Sequence, residues 1–385
     1  MSPDHLPLLL GLLKGEGFSR LPPSRPEHDF WEGFLQAASR NALIPLIRPK
    51  LESPEMEGRV PTAIMETMKE ECAKLAARRM VLADELRHIL AVFESGGIFC
   101  APMRGLALSE RLHGHGLRPM GDIDLMVRRE DVRRLPPLFA DMGYSEMDRR
   151  PGFARAYSYS LEFFKDRLGW TIVEPHWTIA YPPFSSRLDM EPVWRRCVRA
   201  SVCGIRTWSL GAEDLALHLC LHAAHRGKDA PLLWFYELGR LLELERGAFD
   251  WDVFMFTVRG AGLEPVTAPA LRKTKDWMDA PVPDSFLRSL ENGAASRGGL
   301  SRLVAESPLD GSESLAAFFA IPGALPKLRY ALSLLFPSPR FMKIEYGLTG
   351  PWQISLGYAK RLAYLASEAM KGVLALGRYA AKTSI

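Results

Sequence analysis

Two aspartates stand two residues apart in the run Gly121-Asp122-Ile123-Asp124-Leu125-Met126-Val127. On a β-strand, side chains at i and i+2 share a face. Asp122 and Asp124 then project together, while Ile123, Leu125 and Val127 face a core. Carboxylates that close repel, and one of a bare pair is forced up in pKa. A divalent cation removes the conflict, and hard cations such as Mg²⁺ prefer carboxylate oxygens. The competing reading is an edge strand with a solvated polar face. Neighbouring residues favour the metal. Gly105 lies upstream at a strand-to-helix turn, where backbone N–H groups and a helix N-terminus can approach a phosphate closely. Arg104 beside it can add a charge-assisted contact. Downstream, Glu174 ends a second apolar strand and supplies a third acid. Two aspartates and a third carboxylate can hold two Mg²⁺ ions, and the third can instead serve as a general base.

Several elements must position these groups. The apolar run Leu6 to Leu13 predicts a first helix, opened by Ser2-Pro3-Asp4 and stopped at Gly15, and Leu21 to Pro26 predicts a loop. Trp31, Phe34, Leu35 and Ala38 recur at helical spacing, and a long apolar stripe predicts a helix from Thr62 to about Glu94. Residues 1–95 therefore read as a helical N-terminal region. Gly96-Gly97 ends it, and Ile98 to Pro102 reads as a buried strand. A two-turn helix, Leu106 to Leu112, leads through the glycine loop around His113 and His115, both expected to be solvated. After the acidic strand, Arg129-Glu130-Asp131 opens a helix, with a break expected at Pro136-Pro137 because a proline inside a helix costs about 3 kcal/mol. Alternating aromatics from Ala154 to Phe164 and the run Trp170 to Glu174 read as strands. The expected fold is α+β. A small mixed sheet with helices on one face occupies residues 96–185. A helical C-terminal domain follows at 186–350, then a tail helix at 351–385 running from about Ile354 to Ala381. Ser338-Pro339-Arg340 reads as a loop.

These pieces resemble a known family. The carrying residues are Met103-Arg104-Gly105-Leu106-Ala107-Leu108, Leu117-Arg118-Pro119-Met120-Gly121-Asp122-Ile123-Asp124-Leu125-Met126-Val127, Met142-Gly143-Tyr144 and Val173-Glu174-Pro175-His176-Trp177. Leu217 to His225 and Phe336 to Arg340 are similar too. The pattern resembles the uncharacterised nucleotidyltransferase family of the DNA polymerase β-like superfamily, over about residues 90–345. The resemblance implies metal-dependent transfer of a nucleoside monophosphate from an NTP to an acceptor, with release of pyrophosphate. It implies Mg²⁺ or Mn²⁺ held by Asp122, Asp124 and Glu174, and a nucleotide held near Arg104, Gly105, Arg118 and Gly121. Two features depart from the family. Arg104 stands where lysine is usual, and the two are not interchangeable at a tight phosphate site. The interval from Gly105 to Asp122 is also longer than in compact members. A fold retained for nucleotide or partner binding without catalysis is the alternative.

Other residues leave more than one reading open. His218, His222 and His225 share a helix face, which suits a metal, a substrate cleft or a helix–helix contact. His176 either orients the acids or packs. Arg118 reaches a phosphate or pairs with the aspartates. Lys360, Arg361, Lys371, Arg378 and Lys382 make the last helix basic, as on a membrane surface or an ordinary exposed helix.

Composition narrows the class. A chain of 385 residues suggests two or three domains. A formal charge of +4 is too weak to argue for nucleic acid. Five scattered cysteines without C-x-x-C fit a reduced cytoplasmic protein better than a disulfide framework or a zinc site. The N-terminal apolar run lacks the basic flank and cleavage site of a signal peptide, and no run of 18 apolar residues predicts a membrane span.

Overall fold

The structure is a computed structural model. It describes residues 5–16, 28–114, 117–166, 169–182, 184–296, 318 and 321–383; within the last helix, side chains are described up to 367 and at 370. The expected helix start at Ser2-Pro3-Asp4, the loop Leu21 to Pro26, and His115 lie outside the described residues.

The N-terminal helices are α1 (His5–Lys14), α2 (His28–Arg40), α3 (Ile44–Leu51) and α4 (Thr62–Ser95). The sheet region follows as β1 (Cys100–Pro102), α5 (Leu106–His113), β2 (Asp122–Val127), α6 (Leu135–Asp141), β3 (Ser145–Glu146), α7 (Phe153–Tyr157), β4 (Phe163–Asp166) and β5 (Trp170–His176). Next come α8 (Met190–Arg195), the hairpin β6 (Val198–Val202) and β7 (Ile205–Ser209), α9 (Ala212–Arg226), α10 (Leu232–Leu244), α11 (Trp251–Ala261), α12 (Glu264–Met278) and α13 (Asp284–Ser296). Beyond residue 320 lie α14 (Ala324–Leu335), α15 (Pro339–Tyr346) and α16 (Pro351–Thr383). The class is α+β, as expected.

The main sheet is mixed, in the order β1-β2-β5-β4-β3. β2 runs parallel to β5, with Asp124 beside Glu174 and Met126 beside His176; the other pairings are antiparallel. Ile123, Leu125 and Val127 pack with Leu82, Leu86, Ile89 and Phe93 of α4 and Leu135 and Phe139 of α6. Burying each such side chain stabilises by about 1.5–3 kcal/mol. A one-residue slip would drive both aspartates into that core, so hydrophobic patterning fixes the face on which they emerge. At the end of the strand, Arg78 of α4 donates to Gly121 O at 2.8 Å and Trp170 O at 2.6 Å, tying the starts of β2 and β5 together.

Helices cover both faces, not one. Met126 and Ala101 point away from α4 and join a larger core with Leu215 and Leu219 of α9, Leu238 of α10 and Leu271 of α12. α1 to α3 and the start of α4 share a third core with Leu232 and Leu233 of α10. The 34-residue helix α4 therefore serves two cores, Ile64, Met68 and Cys72 in one and Leu82 to Phe93 in the other.

Other local expectations change as well. Pro136 and Pro137 sit in the first turn of α6, where a missing N–H costs nothing; the break falls before them, after a 3₁₀ stretch Arg129–Arg134. The aromatic run from Ala154 opens as α7, not as a strand, because Gly152 in the left-handed region at φ 82 turns the chain into a helix. The β6–β7 hairpin interrupts the expected helical region. Its turn places Cys203 (φ 54) and Gly204 (φ 79) both at positive φ, as a type I′ turn requires, and a cysteine in place of the usual Asn or Asp hides the signal. Ser338-Pro339-Arg340 starts α15, with the Ser338 hydroxyl accepting from Phe341 N at 3.2 Å. Among the described residues, no helix is long and apolar enough to cross a membrane. Arg361 turns inward, donating to Leu334 O at 3.0 Å, while Trp352, Leu356 and Tyr364 of the same helix are exposed. The side chains of Lys371, Arg378 and Lys382 lie outside the described residues.

Candidate metal and nucleotide site

The register of β2 against β5 brings Asp124 and Glu174 together across a parallel pair, where neighbouring strands lie about 4.8 Å apart. His176, two residues beyond Glu174, falls on the same face. Its Nε2 lies 3.1 Å from Asp124 Oδ1 and 3.5 Å from Glu174 Oε2. One ligand atom from each of Asp124, Glu174 and His176 fits within a 4.8 Å cluster. This set differs from the expected one in one member. Asp122 shares the face one step back on β2 and is partly exposed, so it flanks the cluster. His176 takes a place in it. The signal for His176 was in the sequence, since Glu174 and His176 repeat on β5 the i, i+2 spacing of Asp122 and Asp124.

Arg104 and Gly105 form the turn above β2. The ladder continues past β1, with Met103 N donating to Asp124 O at 3.1 Å. Gly105 then takes φ 55 and ψ −112 as the N-cap of α5, a conformation that side chains other than hydrogen rarely adopt. A Cβ there would meet Asp122 O at an ordinary 3.5 Å, so backbone geometry, not space, selects glycine. Gly121 is exposed at the foot of β2, with open space where a side chain would stand.

Arg104 reaches into the cluster. Its Nη2 pairs with Asp124 Oδ1 at 2.5 Å, and its Nη1 lies 2.5 Å from His222 Nε2. A guanidinium only donates, so the ring accepts from Arg104, whose Nη1 also lies 2.8 Å from His222 Nδ1; Nδ1 in turn lies 2.9 Å from Tyr181 Oη. Burial and the Arg104 charge hold the His222 pKa well below the ordinary imidazole value, so the ring is a neutral acceptor. His218 donates through Nδ1 to Ile179 O at 3.0 Å, and burial, then Arg104, lowers its pKa to about 3. His225 stacks on Tyr181 with ring centroids 4.6 Å apart. The three histidines of α9 thus form a packed ladder behind Arg104; among the described residues they join no metal cluster.

Two basic residues have partners the sequence did not indicate. Arg118, expected on a phosphate or the aspartates, is clamped by Glu237 of α10, Nε to Oε1 at 2.6 Å and Nη2 to Oε2 at 3.0 Å. It acts on Asp122 through its field, helping to offset the upward push on that carboxyl. His113, expected to be solvated, is buried, with Nε2 2.8 Å from Glu237 Oε1. Its helix α5 points it at a buried carboxylate whose need for partners outweighs the glycines that follow.

The electrostatics show too much negative charge for the cations present. Burial pushes the Asp124 carboxyl up, but Arg104 and His176 outweigh it and hold Asp124 well below the usual carboxylate range. Repulsion from Asp124, then burial, raises Asp122. Burial, then Asp124 and Asp122, pushes Glu174 up to about 8. Carboxylate oxygens and an imidazole nitrogen this close, still short of positive charge, fit a divalent cation. At neutral pH Glu174 carries a proton that a metal must displace. Metal affinity is therefore expected to rise with pH toward about 8 and then level off. Calorimetric titration of Mn²⁺ in two buffers of different ionisation enthalpy should record the released proton; pH-independent binding without release would remove Glu174 from the ligands.

No curated protein and no solved structure matches the chain. The sequence model of one family matches residues 27–279. That span begins earlier than the resembling motifs, taking in α2 to α4, and ends at the close of α12. With the acid cluster, the glycine turn and the mixed sheet all inside the matched region, the chain belongs to the uncharacterised nucleotidyltransferase family.

Proposed function

We propose that the chain transfers a nucleoside monophosphate from an NTP to an acceptor hydroxyl, releasing pyrophosphate. The convergence of Asp124, Glu174 and His176 beside the Gly105 turn carries this reading. Asp122, Asp124 and Glu174 would hold Mg²⁺ or Mn²⁺, with His176 orienting Asp124 or adding a nitrogen ligand. A bound divalent ion would neutralise the triphosphate and the charge developing at the α-phosphorus. The chain's own groups do the rest. The N-terminus of α5 and the open backbone at Gly105 and Gly121 face incoming phosphate oxygens. Arg104 Nε is buried with no hydrogen-bond partner among the described residues, a donor that a phosphate oxygen can satisfy. Arg118 contributes its field from behind. As the alternative to ligating the ion, Glu174 accepts the acceptor's proton, and a pKa of about 8 suits a general base or acid near neutral pH.

The test is binding of each labelled NTP with Mg²⁺, followed by incubation with cell extract in search of a labelled acceptor. The Asp122→Ala, Asp124→Ala double variant is expected to lose Mg²⁺-dependent NTP binding; unchanged binding would sink the site assignment.

A second reading has one observation behind it. Arg104 already occupies Asp124 Oδ1, so the chain can be a nucleotide-binding or partner-binding protein without turnover. NTP binding without any labelled product would favour it. Cytoplasmic placement, with weak contact of α16 on a membrane surface, is part of the same proposal. Co-sedimentation with anionic liposomes, with and without residues 353–385, tests that contact.

A further inference from the structure

One cavity of about 420 Å³ adjoins the acid cluster and shares Glu174 with it. Its volume falls in the range of small-molecule sites. Its wall carries four carboxylates, Asp148, Glu162, Glu174 and Glu345, against one guanidinium, Arg149. Asp148 uses Oδ1 to accept from Ala154 N at 3.1 Å, but its Oδ2 is shut off from solvent with no partner among the described residues. Glu162 is raised in pKa by burial, then by Glu345 and Asp122, with Arg149 offsetting only part. The carboxylates on the wall therefore outnumber its guanidinium. Its apolar side is aromatic: Phe153 stacks on Tyr330 at 5.7 Å between centroids, and Tyr157 meets Tyr330 edge-on at 5.4 Å. Carboxylates beside aromatic faces attract an ammonium ion and repel a triphosphate.

We propose that this cavity takes the acceptor, and that the acceptor is a small amino alcohol or amino sugar. Its protonated amine lies between Glu162, Glu345 and the aromatic wall, and its hydroxyl is presented to Glu174. The inference rests on the transferase reading above. In the reaction the acceptor oxygen forms a bond to the α-phosphorus. The bond from that phosphorus to the bridging oxygen breaks, its electron pair leaves with pyrophosphate, and the hydroxyl proton passes to Glu174.

Calorimetry on the full chain at neutral pH, with glucosamine, glucose and glucose 6-phosphate as probes and Mg·ATP titrated separately, tests it. Glucosamine is expected to bind about tenfold tighter than glucose. Glu345→Gln, at an exposed position, and Glu162→Gln, at a partly exposed one, should each remove most of that preference and leave Mg·ATP binding unchanged. Equal binding of glucosamine and glucose, or preference for the phosphate ester, would overturn the acceptor class alone. Loss of Mg·ATP binding in both glutamine variants would place the nucleotide in the cavity and overturn the proposal. Amine preference without any Mg·ATP binding to the wild-type chain would overturn the transferase reading and, with it, the acceptor role.

Discussion

Replacing Glu237 with glutamine is expected to destabilise the protein by about 3–5 kcal/mol, because it leaves the Arg118 guanidinium buried without a counter-charge. Glu237 is fully buried and takes both Arg118 contacts as well as His113. Burial raises its pKa, but Arg118 and His113 outweigh burial and lower it below the usual carboxyl value. A depressed acid stabilises the fold above its unfolded pKa and loses that contribution as pH falls through the folded value. The gap between wild type and Glu237→Gln should therefore be full at neutral pH and close in acid. Urea denaturation across pH measures it. An Arg118→Met, Glu237→Met double variant should recover most of the stability, since replacing both partners with apolar groups is often neutral. If that double variant keeps NTP affinity, Arg118 serves the fold and the field at Asp122; if it loses affinity, Arg118 also meets phosphate.

The second large effect concerns chemistry. Glu174→Gln is expected to lower turnover by about 10²–10⁴, the usual contribution of a general base, once an acceptor is in hand. KM for the NTP should change far less. The wild-type rate should rise with pH toward about 8, where Glu174 loses its proton, and the variant should lack that rise. A variant that keeps the same pH profile would assign the titration to another group. The fold should survive the change. Glu174 is partly exposed and its ring partner, His176 Nε2, lies 3.5 Å away, within reach of the amide as well.

Arg104 is held in place among the acids. It supplies Asp124 with a counter-ion, and His222 and Tyr181 fix its direction. A lysine would have to serve both acceptors from a single ammonium, without the fixed fork of the guanidinium. The departure from the usual residue at this turn is thus matched by α9, which provides a neutral histidine to hold the guanidinium.

Much was legible in the residues themselves. The alternation of Ile123, Leu125 and Val127 with Asp122 and Asp124 predicts both the strand and the face of the acids, because period two admits only one arrangement around a core. The long helix after Pro61 and the conformation of Gly105 follow from equally local rules. Partners across the fold were not legible. The parallel register that sets Asp124 beside Glu174 and admits His176 is decided by packing of β2 on β5, whose paired residues lie fifty apart in sequence. The Arg118–Glu237–His113 cluster and the Arg104–His222 contact join segments more than a hundred residues apart. A short-range pattern reports a side chain's own backbone and face. Which distant carboxylate or ring meets a buried cation depends on how the three cores settle against one another. So the sequence by itself determined the acids, their shared face and the family. Only the tertiary structure decided which atoms make the candidate metal cluster, which arginine enters it, and that an acid-rich aromatic cavity opens beside it.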